Sequence, residues 1–287
     1  MDEILVQTII SALITGLVYG LIAAGLNLIW GMMEIVNFSH GETLMLNMYL
    51  AFFLFTLVGI DPLYALPICL FFSFMFGVIV YQSLIRPILK APMLVQVVVT
   101  FGLGIFLRST AQFLWTPDFR TIKNPMVKGM VNLGGIYLGK PQMVTAVVCL
   151  LAFGFLYVLI TRTELGAAFQ ATAEDREAAS LMGINSNRMF ALAWGIGIAC
   201  VGVAGCLLST FYYIFPEVGL PFALIAYVVV AVGGFGSVFG TLLGGLIVGL
   251  VEVLGGYLLV PSFKYAMVFA IYLLVVFIRP QGLFGRY

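Results

Sequence analysis

The first long apolar stretch of the chain is residues Ile4–Met33, ILVQTIISALITGLVYGLIAAGLNLIWGMM, and it contains no charged side chain. Because a helix needs roughly 20 apolar residues to cross a bilayer, this stretch alone predicts one crossing. Further charge-free runs follow at 43–60, 62–85, 91–107, 141–161, 189–216, 218–251 and 265–278. The sequence therefore predicts an all-α fold, a polytopic transmembrane helical bundle that forms a single domain over residues 1–287.

The composition excludes a protein that folds as a water-soluble particle. Of the 287 residues, 63% are hydrophobic and 9% are charged, whereas a soluble domain carries about 25% charged residues. The four cysteines (Cys69, Cys149, Cys200 and Cys206) lie in apolar runs, and the chain has one histidine. These residues lack the spacing and the number of ligands of a zinc site, so no metal site is predicted. The net charge of +1 gives no basis for binding nucleic acid.

Lysine and arginine in short loops mark the cytoplasmic side of a membrane protein. Arg86–Lys90, the charged loop (residues 161–188) and a tail containing Arg279 and Arg286 fit this rule in one alternation. That alternation predicts an external N-terminus, a cytoplasmic C-terminus and about 8–9 crossings. The loop 116–141 is also basic, yet the same alternation places it outside, as a periplasmic loop.

Two segments interrupt the helical pattern. Gly31–Glu42 (GMMEIVNFSHGE) is polar, and Gly233–Gly236 (GGFG) divides the run 221–261 into what we interpret as two shortened helices meeting at a bend. Irregular backbone at membrane depth is tolerated only where protein or a watery cavity accepts its hydrogen bonds, and broken helices often mark a transport pathway. The hypothesised pathway residues are Asn37, Ser39, His40, Glu42, Gly233, Gly234, Gly236 and Glu252.

Arg108 and Glu252 are charges inside apolar runs, where they indicate function or a mutual ion pair. Because Arg108 lies seven residues before Trp115, we expect it to extend to the outer interface and Glu252 to face the bundle interior. His40 beside Ser39 allows a hydrolase as an alternative. Nucleophilic catalysis also needs an oxyanion site, and no Gly-x-Ser-x-Gly motif is present, so no catalytic residue is predicted.

The charged loop holds seven of the 25 charged residues of the chain. Its residues 177–183 read EAASLMG, which resembles the Glu-Ala-Ala-x-x-x-Gly loop by which permease subunits of ABC importers dock onto their ATPases. Good helix formers predict one short helix over 167–182, ended by Gly183 in a left-handed conformation. We therefore predict a cytoplasmic coupling loop. Its candidate coupling residues are Glu174, Asp175, Glu177, Ala178, Ala179 and Gly183.

The resemblance extends over essentially the whole chain through four ordered motifs, at 37–42 (NFSHGE), 173–184 (AEDREAASLMGI), 233–237 (GGFGS) and 279–285 (RPQGLFG). On these motifs the sequence resembles the branched-chain amino acid ABC transporter permease family, the LivH-type subunit. It departs from the family near Ala223–Leu224, where a basic residue is frequent, and near Ala266, where an acidic one is. These departures leave the substrate open.

The resemblance implies a transport subunit of the prokaryotic cytoplasmic membrane, surrounded by lipid, and not an enzyme. It implies a related second permease of the LivM type, two cytoplasmic ATP-binding subunits and a periplasmic or extracellular solute-binding protein. The chain lacks a Gly-x4-Gly-Lys-(Ser/Thr) phosphate loop, so ATP and Mg would be bound by the partners and no cofactor by this chain. The alternative is an importer or channel for urea or short-chain amides, which leaves the charged loop unexplained.

Overall fold

The computed structural model describes residues 2–285, most of which are helical. The charged loop contains two short helices, α7 (Glu164–Glu174) and α8 (Arg176–Leu181). The apolar helices and the turns that extend them are α1 (Asp2–Met33), α2 (His40–Phe53, then a π-helical turn at Leu54–Val58), α3 (Pro62–Val80, then a π-helical turn at Tyr81–Ile85 and the one-turn helix α4, Arg86–Ile88), α5 (Met93–Trp115), α6 (Lys140–Arg162), α9 (Ser186–Leu208), α10 (Gly219–Gly233), α11 (Val238–Leu258) and α12 (Lys264–Ile278, after a 3-10 turn at Pro261–Phe263).

The predicted polytopic helical bundle is confirmed. Within residues 2–285, eight helices are long and apolar enough to cross a membrane, and α10 is a shorter apolar helix. With α10 included, the chain passes nine times between the two ends of the bundle, within the predicted range. The described ends of the chain therefore lie at opposite ends of the bundle.

One end of the bundle carries a β-hairpin that sequence reasoning missed. Strands β1 (Met130–Leu133) and β2 (Ile136–Gly139) pair antiparallel. The two linking residues, Gly134 and Gly135, have φ of 62° and 99°, and glycine is favoured in such two-residue turns because it adopts positive φ readily. The Gly-Gly pair between two short apolar stretches was the available signal. We call this the hairpin end, and we call the opposite end, where the charged loop lies, the loop end.

The basic segments divide between the two ends as the alternation requires. Lys90 lines one cavity together with Arg176 of α8, so the turn after α4 and the charged loop share the loop end. The tail that starts at Arg279 hydrogen-bonds to the last turn of α10 at this same end, while Arg286 lies outside the described residues. The loop 116–141 lies at the hairpin end.

Helix α9 is the most deeply buried of the long helices and forms the centre of the bundle with α1. The two cross at Gly25 and Gly197, where a Cβ atom on either glycine would meet the backbone carbonyl of the other. On another face, α1 packs against α11, where a Cβ atom on Gly245 would lie 2.6 Å from the carbonyl oxygen of Gly16. Small residues allow helix backbones to approach this closely within a membrane.

The prediction that two shortened helices meet at the bend Gly233–Gly236 is wrong for the second helix. Helix α10 has 15 residues, but α11 has 21 and is long enough to cross alone. The bend lies at the loop end, because the C-terminal tail hydrogen-bonds to the backbone of Gly233. The missing length of α10 lies at its start, where the non-helical segment 209–218 enters the bundle. A uniformly apolar run such as 218–251 does not reveal where a helix begins within it.

The charged loop forms two helices, not the single helix predicted over 167–182. Asp175 separates them, because its side chain accepts hydrogen bonds from the backbone N–H groups of Glu177 (2.8 Å) and Ala178 (3.0 Å) and so caps α8. Gly183 ends α8 with φ of 84°, the left-handed cap that was predicted.

Candidate functional site

Residues 34–39 return into the bundle after α1 and place the start of α2 at membrane depth. The Nε2 atom of His40 lies 2.9 Å from the carbonyl oxygen of Ile22, eleven residues before α1 ends at Met33. At about 1.5 Å per residue this is about 16 Å from the loop end, roughly half of the 30 Å hydrocarbon core of a bilayer. The polar motif 37–42 therefore lies deep inside the bundle.

The irregular backbone before α2 finds hydrogen-bond partners on two neighbouring helices. The hydroxyl of Thr100 in α5 donates to the carbonyl of Val36 (3.0 Å), and the hydroxyl of Tyr227 in α10 donates to the carbonyl of Asn37 (2.7 Å). The side-chain oxygen of Asn37 accepts from the backbone N–H (3.1 Å) and the hydroxyl (2.7 Å) of Ser39. Because irregular backbone at membrane depth must have its hydrogen bonds satisfied, these bonds help to hold the segment between α5 and α10.

Ser39 and His40 are not arranged as a nucleophile and its base. The Ser39 hydroxyl donates to Asn37, and Nε2 of His40 carries the ring hydrogen because its partner, the Ile22 carbonyl, can only accept. A catalytic pair would need these two side chains bonded to each other. The hydrolase alternative has no support in this geometry. Within residues 2–285, the Nδ1 atom of His40 and the Nδ2 atom of Asn37 are buried without a hydrogen-bond partner.

Helix α10 begins at the same depth as α2, a second break that sequence reasoning missed. Its first residue, Gly219, contacts Gly41 so closely that a Cβ atom on either glycine would overlap the backbone of the other. Two helix N-termini therefore meet inside the bundle, and each presents the positive end of its helix dipole. The available signal was Pro216-Glu217, a proline and a charge that interrupt an otherwise apolar stretch.

Glu42, in the first turn of α2, forms an ion pair with Arg108 of α5. The Nη2 atom of Arg108 lies 3.9 Å from Oε1 of Glu42, and the two side chains are 22% and 5% exposed. The expectation that Arg108 extends to the outer interface is therefore wrong. Isolated charges at membrane depth are strongly unfavourable, and Glu42 is the partner within reach. Helix α5 approaches closely because Gly104 faces Glu42, where an added Cβ would lie 3.2 Å from Oε2.

Glu252 forms a second ion pair, with Lys264 and not with Arg108. The Nζ atom of Lys264 lies 3.2 Å from Oε1 of Glu252, and the pair joins α11 to the start of α12. The suggested mutual pair is therefore wrong, because each acid has a base on a nearer helix. Glu252 is buried, as expected, with 4% of its surface exposed. Its place in a transport pathway stays a prediction.

The glycines of the bend lie far from the polar motif of α2. Gly233 is fourteen residues from the start of α10, which is about 21 Å along a helix. The predicted pathway residues therefore occupy separate places: Asn37, Ser39, His40 and Glu42 at membrane depth, Gly233, Gly234 and Gly236 at the loop end, and Glu252 between α11 and α12. A mainly apolar cavity of about 280 Å³ has Val36, Tyr227 and Phe235 in its lining, which are sequence neighbours of these residues or contact them, but none of the predicted pathway residues lines it.

Asn27 of α1 holds the bend at the loop end. Its side-chain nitrogen, which has two hydrogens to donate, lies within hydrogen-bond distance of three acceptors, the carbonyls of Gly234 (3.2 Å) and Ser237 (3.1 Å) and the hydroxyl of Thr241 (2.5 Å). Its side-chain oxygen accepts from the backbone N–H of Gly236 (2.8 Å). One buried amide thus satisfies the polar groups of the bend, and the glycines there have a structural role.

We expect Asn27→Leu to destabilise the protein by about 1–3 kcal/mol, because the buried groups of the bend lose their partner. The measurement is the midpoint of thermal unfolding of the purified protein in detergent. Thr8→Val on the same helix is the control, since the Thr8 hydroxyl is exposed and bonds only to its own helix. Equal midpoints for both variants would contradict the role given to Asn27.

The candidate coupling residues lie on the surface of the loop end. Glu174, Asp175, Glu177, Ala178 and Gly183 are exposed, whereas Ala179 is buried. Two large apolar side chains protrude beside them: Leu181 is 88% exposed and Met182 is 83% exposed. Phe169 of α7 packs into the bundle. Large apolar side chains exposed on a polar surface are typical of a docking site.

Helix α8 is fastened to the start of α9 through Arg176. The guanidinium group of Arg176 donates to Asn187 (3.3 Å) and lies 5.2 Å from the ring centre of Phe190. The Ser186 hydroxyl donates to the Arg176 carbonyl (3.4 Å). Because Phe190 is buried in the main core, these contacts anchor α8 to the first turns of α9.

Comparison with known proteins agrees with this arrangement. Residues 8–277 match the family described as branched-chain amino acid transport system / permease component. The chain belongs to this family. The resemblance drawn from the four motifs is confirmed, and so is the multi-pass helical fold expected of such a permease.

Individual relatives span nearly the full permease. This chain is 31% identical to the high-affinity branched-chain amino acid transport system permease protein BraD of Pseudomonas aeruginosa, and the match covers 98% of this chain and 95% of that protein. It is also 31% identical to LivH of Escherichia coli K12, with the same coverage. A probable LivH of Methanocaldococcus jannaschii is 27% identical over 92% of this chain and 88% of its own. These relatives are transport permeases, which favours a transport subunit over an enzyme.

Proposed function

We propose that the chain is the permease subunit of an ATP-driven importer that carries branched-chain or other small amino acids across a prokaryotic cytoplasmic membrane. In this proposal the charged loop and the C-terminus face the cytoplasm, and the N-terminus and the hairpin end face outward. The observation that carries it is the exposed pair Leu181 and Met182, at the end of a helix that is fastened to the buried α9. The names of the relatives support the class of solute.

The proposal requires partners. The sequence has no phosphate loop, so two cytoplasmic ATP-binding subunits would bind ATP and Mg and hydrolyse the nucleotide. A second, LivM-type permease would complete the pathway, and an external solute-binding protein would deliver the amino acid. Residues Glu174, Asp175, Glu177, Ala178, Ala179 and Gly183 would form or shape the surface that docks an ATPase.

A contiguous set of contacts leads from the coupling surface to the polar motif of α2. Arg176 joins α8 to α9, and further along α9 a Cβ atom on Gly205 would lie 2.7 Å from the carbonyl oxygen of Leu44 in α2. The side chain of Asn47, one turn further along α2, accepts a hydrogen bond from Ser73 of α3 (2.7 Å). We propose that ATP-driven displacement of α8 moves α9, which in turn shifts α2 and the residues Asn37–Glu42.

The test is reconstitution of the chain with its candidate partners in proteoliposomes. We expect leucine uptake that requires ATP on the side of the membrane where the charged loop lies and the binding protein on the side of the hairpin end. Urea and acetamide serve as uncharged competitors for the same pathway. If the chain alone, without ATP, takes up urea as fast as the complete complex does with ATP, the proposal is contradicted and the channel alternative is supported.

A further inference from the structure

We infer that Glu42 and Arg108 recognise the charged ends of the solute as it passes. The α-ammonium group of the amino acid binds Glu42, and its α-carboxylate binds Arg108. This inference rests on the proposed function and adds the two residues that would distinguish a zwitterionic amino acid from an uncharged amide.

The Glu42–Arg108 ion pair is long, so both side chains can still form hydrogen bonds to a solute. Its separation of 3.9 Å exceeds hydrogen-bond distance, and within residues 2–285 the guanidinium of Arg108 donates no hydrogen bond. A guanidinium group has five N–H donors in a planar fork that matches a carboxylate. The Glu252–Lys264 pair is closer, at 3.2 Å, so looseness is not general to the ion pairs of this bundle.

An aromatic surface that suits the rest of a branched-chain amino acid lies on the same side of α5 as Arg108, nearer the loop end. The ring of Phe38 packs between those of Phe101 in α5 and Tyr227 in α10, with centroid distances of 6.4 and 5.5 Å. Phe101 precedes Arg108 by seven residues on α5, about 10 Å nearer the loop end. Charged groups and an aromatic surface therefore follow each other along the same side of α5.

The Arg108 side of the pair lies near the surface of the described chain. Helix α5 packs mainly on α2, and of its 23 residues only Thr100, Gly104 and Ala111 are buried. Arg108 itself is 22% exposed. A small displacement of α5 would therefore separate the two charges enough to admit a solute between them.

Exchange of partners explains why a zwitterion suits this site. Before the solute arrives, Glu42 and Arg108 neutralise each other. A zwitterion supplies one opposite charge to each, so no unpaired charge is left at membrane depth, where it would be strongly unfavourable. A solute with only an ammonium group or only a carboxylate would leave one protein charge unpaired. Such a penalty against wrong solutes produces specificity.

The deciding variant is the double substitution Glu42→Gln/Arg108→Gln, which keeps the shape of Glu42, replaces Arg108 by a shorter neutral polar side chain and leaves no charge unpaired. We expect it to assemble with its partners at wild-type yield and to lower ATP-driven leucine uptake per assembled complex by about tenfold or more, as two charge-assisted contacts are lost. Thr110→Val is the control, since Thr110 is a half-buried residue of the same helix whose hydroxyl bonds only to the Phe106 carbonyl.

Each outcome separates the possibilities. Wild-type uptake by the double variant would overturn this inference alone, because the pair would then be merely structural. Failure of the wild-type complex to import leucine with ATP would overturn the proposed function and this inference with it. If the double variant does not assemble, Arg108→Lys decides, since it keeps the charge and removes the fork. We expect it to lower the saturated rate of leucine uptake severalfold at unchanged thermal stability, and an unchanged rate would overturn the inference.

Discussion

Replacing Gly41 by alanine is expected to destabilise the permease by about 1–3 kcal/mol and to abolish most of its transport. The added methyl group would lie 2.8 Å from the carbonyl carbon of Gly219 and 2.9 Å from the side chain of Ala223. These atoms belong to the first turns of α10, so α2 and α10 must separate. The result would be a lower midpoint of thermal unfolding in detergent and a lower yield of folded protein.

Gly102→Ala provides the matched control for this prediction. Gly102 lies in α5, and nothing is within 4 Å of the position its Cβ would take. Alanine favours a helix over glycine by up to about 1 kcal/mol, so this variant should be at least as stable as the wild type. A Gly41→Ala protein with the stability of Gly102→Ala would show that α2 and α10 do not meet as described.

The long helices and the location of the charged loop could be predicted because each depends on a one-dimensional pattern. A run such as Ile4–Met33 without charge is long enough to cross a bilayer whatever its neighbours are. The charged loop contrasts with every run around it. The left-handed conformation of Gly183 could be predicted for the same reason, since glycine adopts positive φ without a steric penalty.

The interior of the bundle could not be predicted from such patterns. The start of α10 depends on Gly219 meeting Gly41 across 178 positions of sequence, and no local signal specifies that contact. For the same reason Arg108 was assigned to the interface on its distance from Trp115, when the nearest opposite charge in space is Glu42. Ion pairs between helices are set by packing, which the sequence of either helix alone does not contain.

The second large effect is expected at the coupling surface. Leu181→Asp combined with Met182→Asp should abolish ATP-driven uptake while the stability of the permease stays unchanged. Both side chains are more than four-fifths exposed, so the fold loses no packing when they change. If they are the anchors of a docked ATPase, each contributes about 2 kcal/mol or more to binding, and loss of both lowers the affinity by about 1,000-fold. The measurement is co-purification of the ATPase together with leucine uptake in proteoliposomes.

Ala167→Asp separates this effect from the mere addition of charge. Ala167 is exposed in the first turn of α7, where a carboxylate is favourable near the helix N-terminus. We expect its ATPase binding and uptake to equal those of the wild type. The single variants Leu181→Asp and Met182→Asp should fall between the wild type and the double variant. If the double variant binds the ATPase normally but no longer imports leucine, the two side chains transmit force without providing affinity. If the double variant binds the ATPase and imports leucine normally, the ATPase does not dock on α8. The contacts from Arg176 through α9 to α2 then do not couple ATP hydrolysis to movement of Glu42.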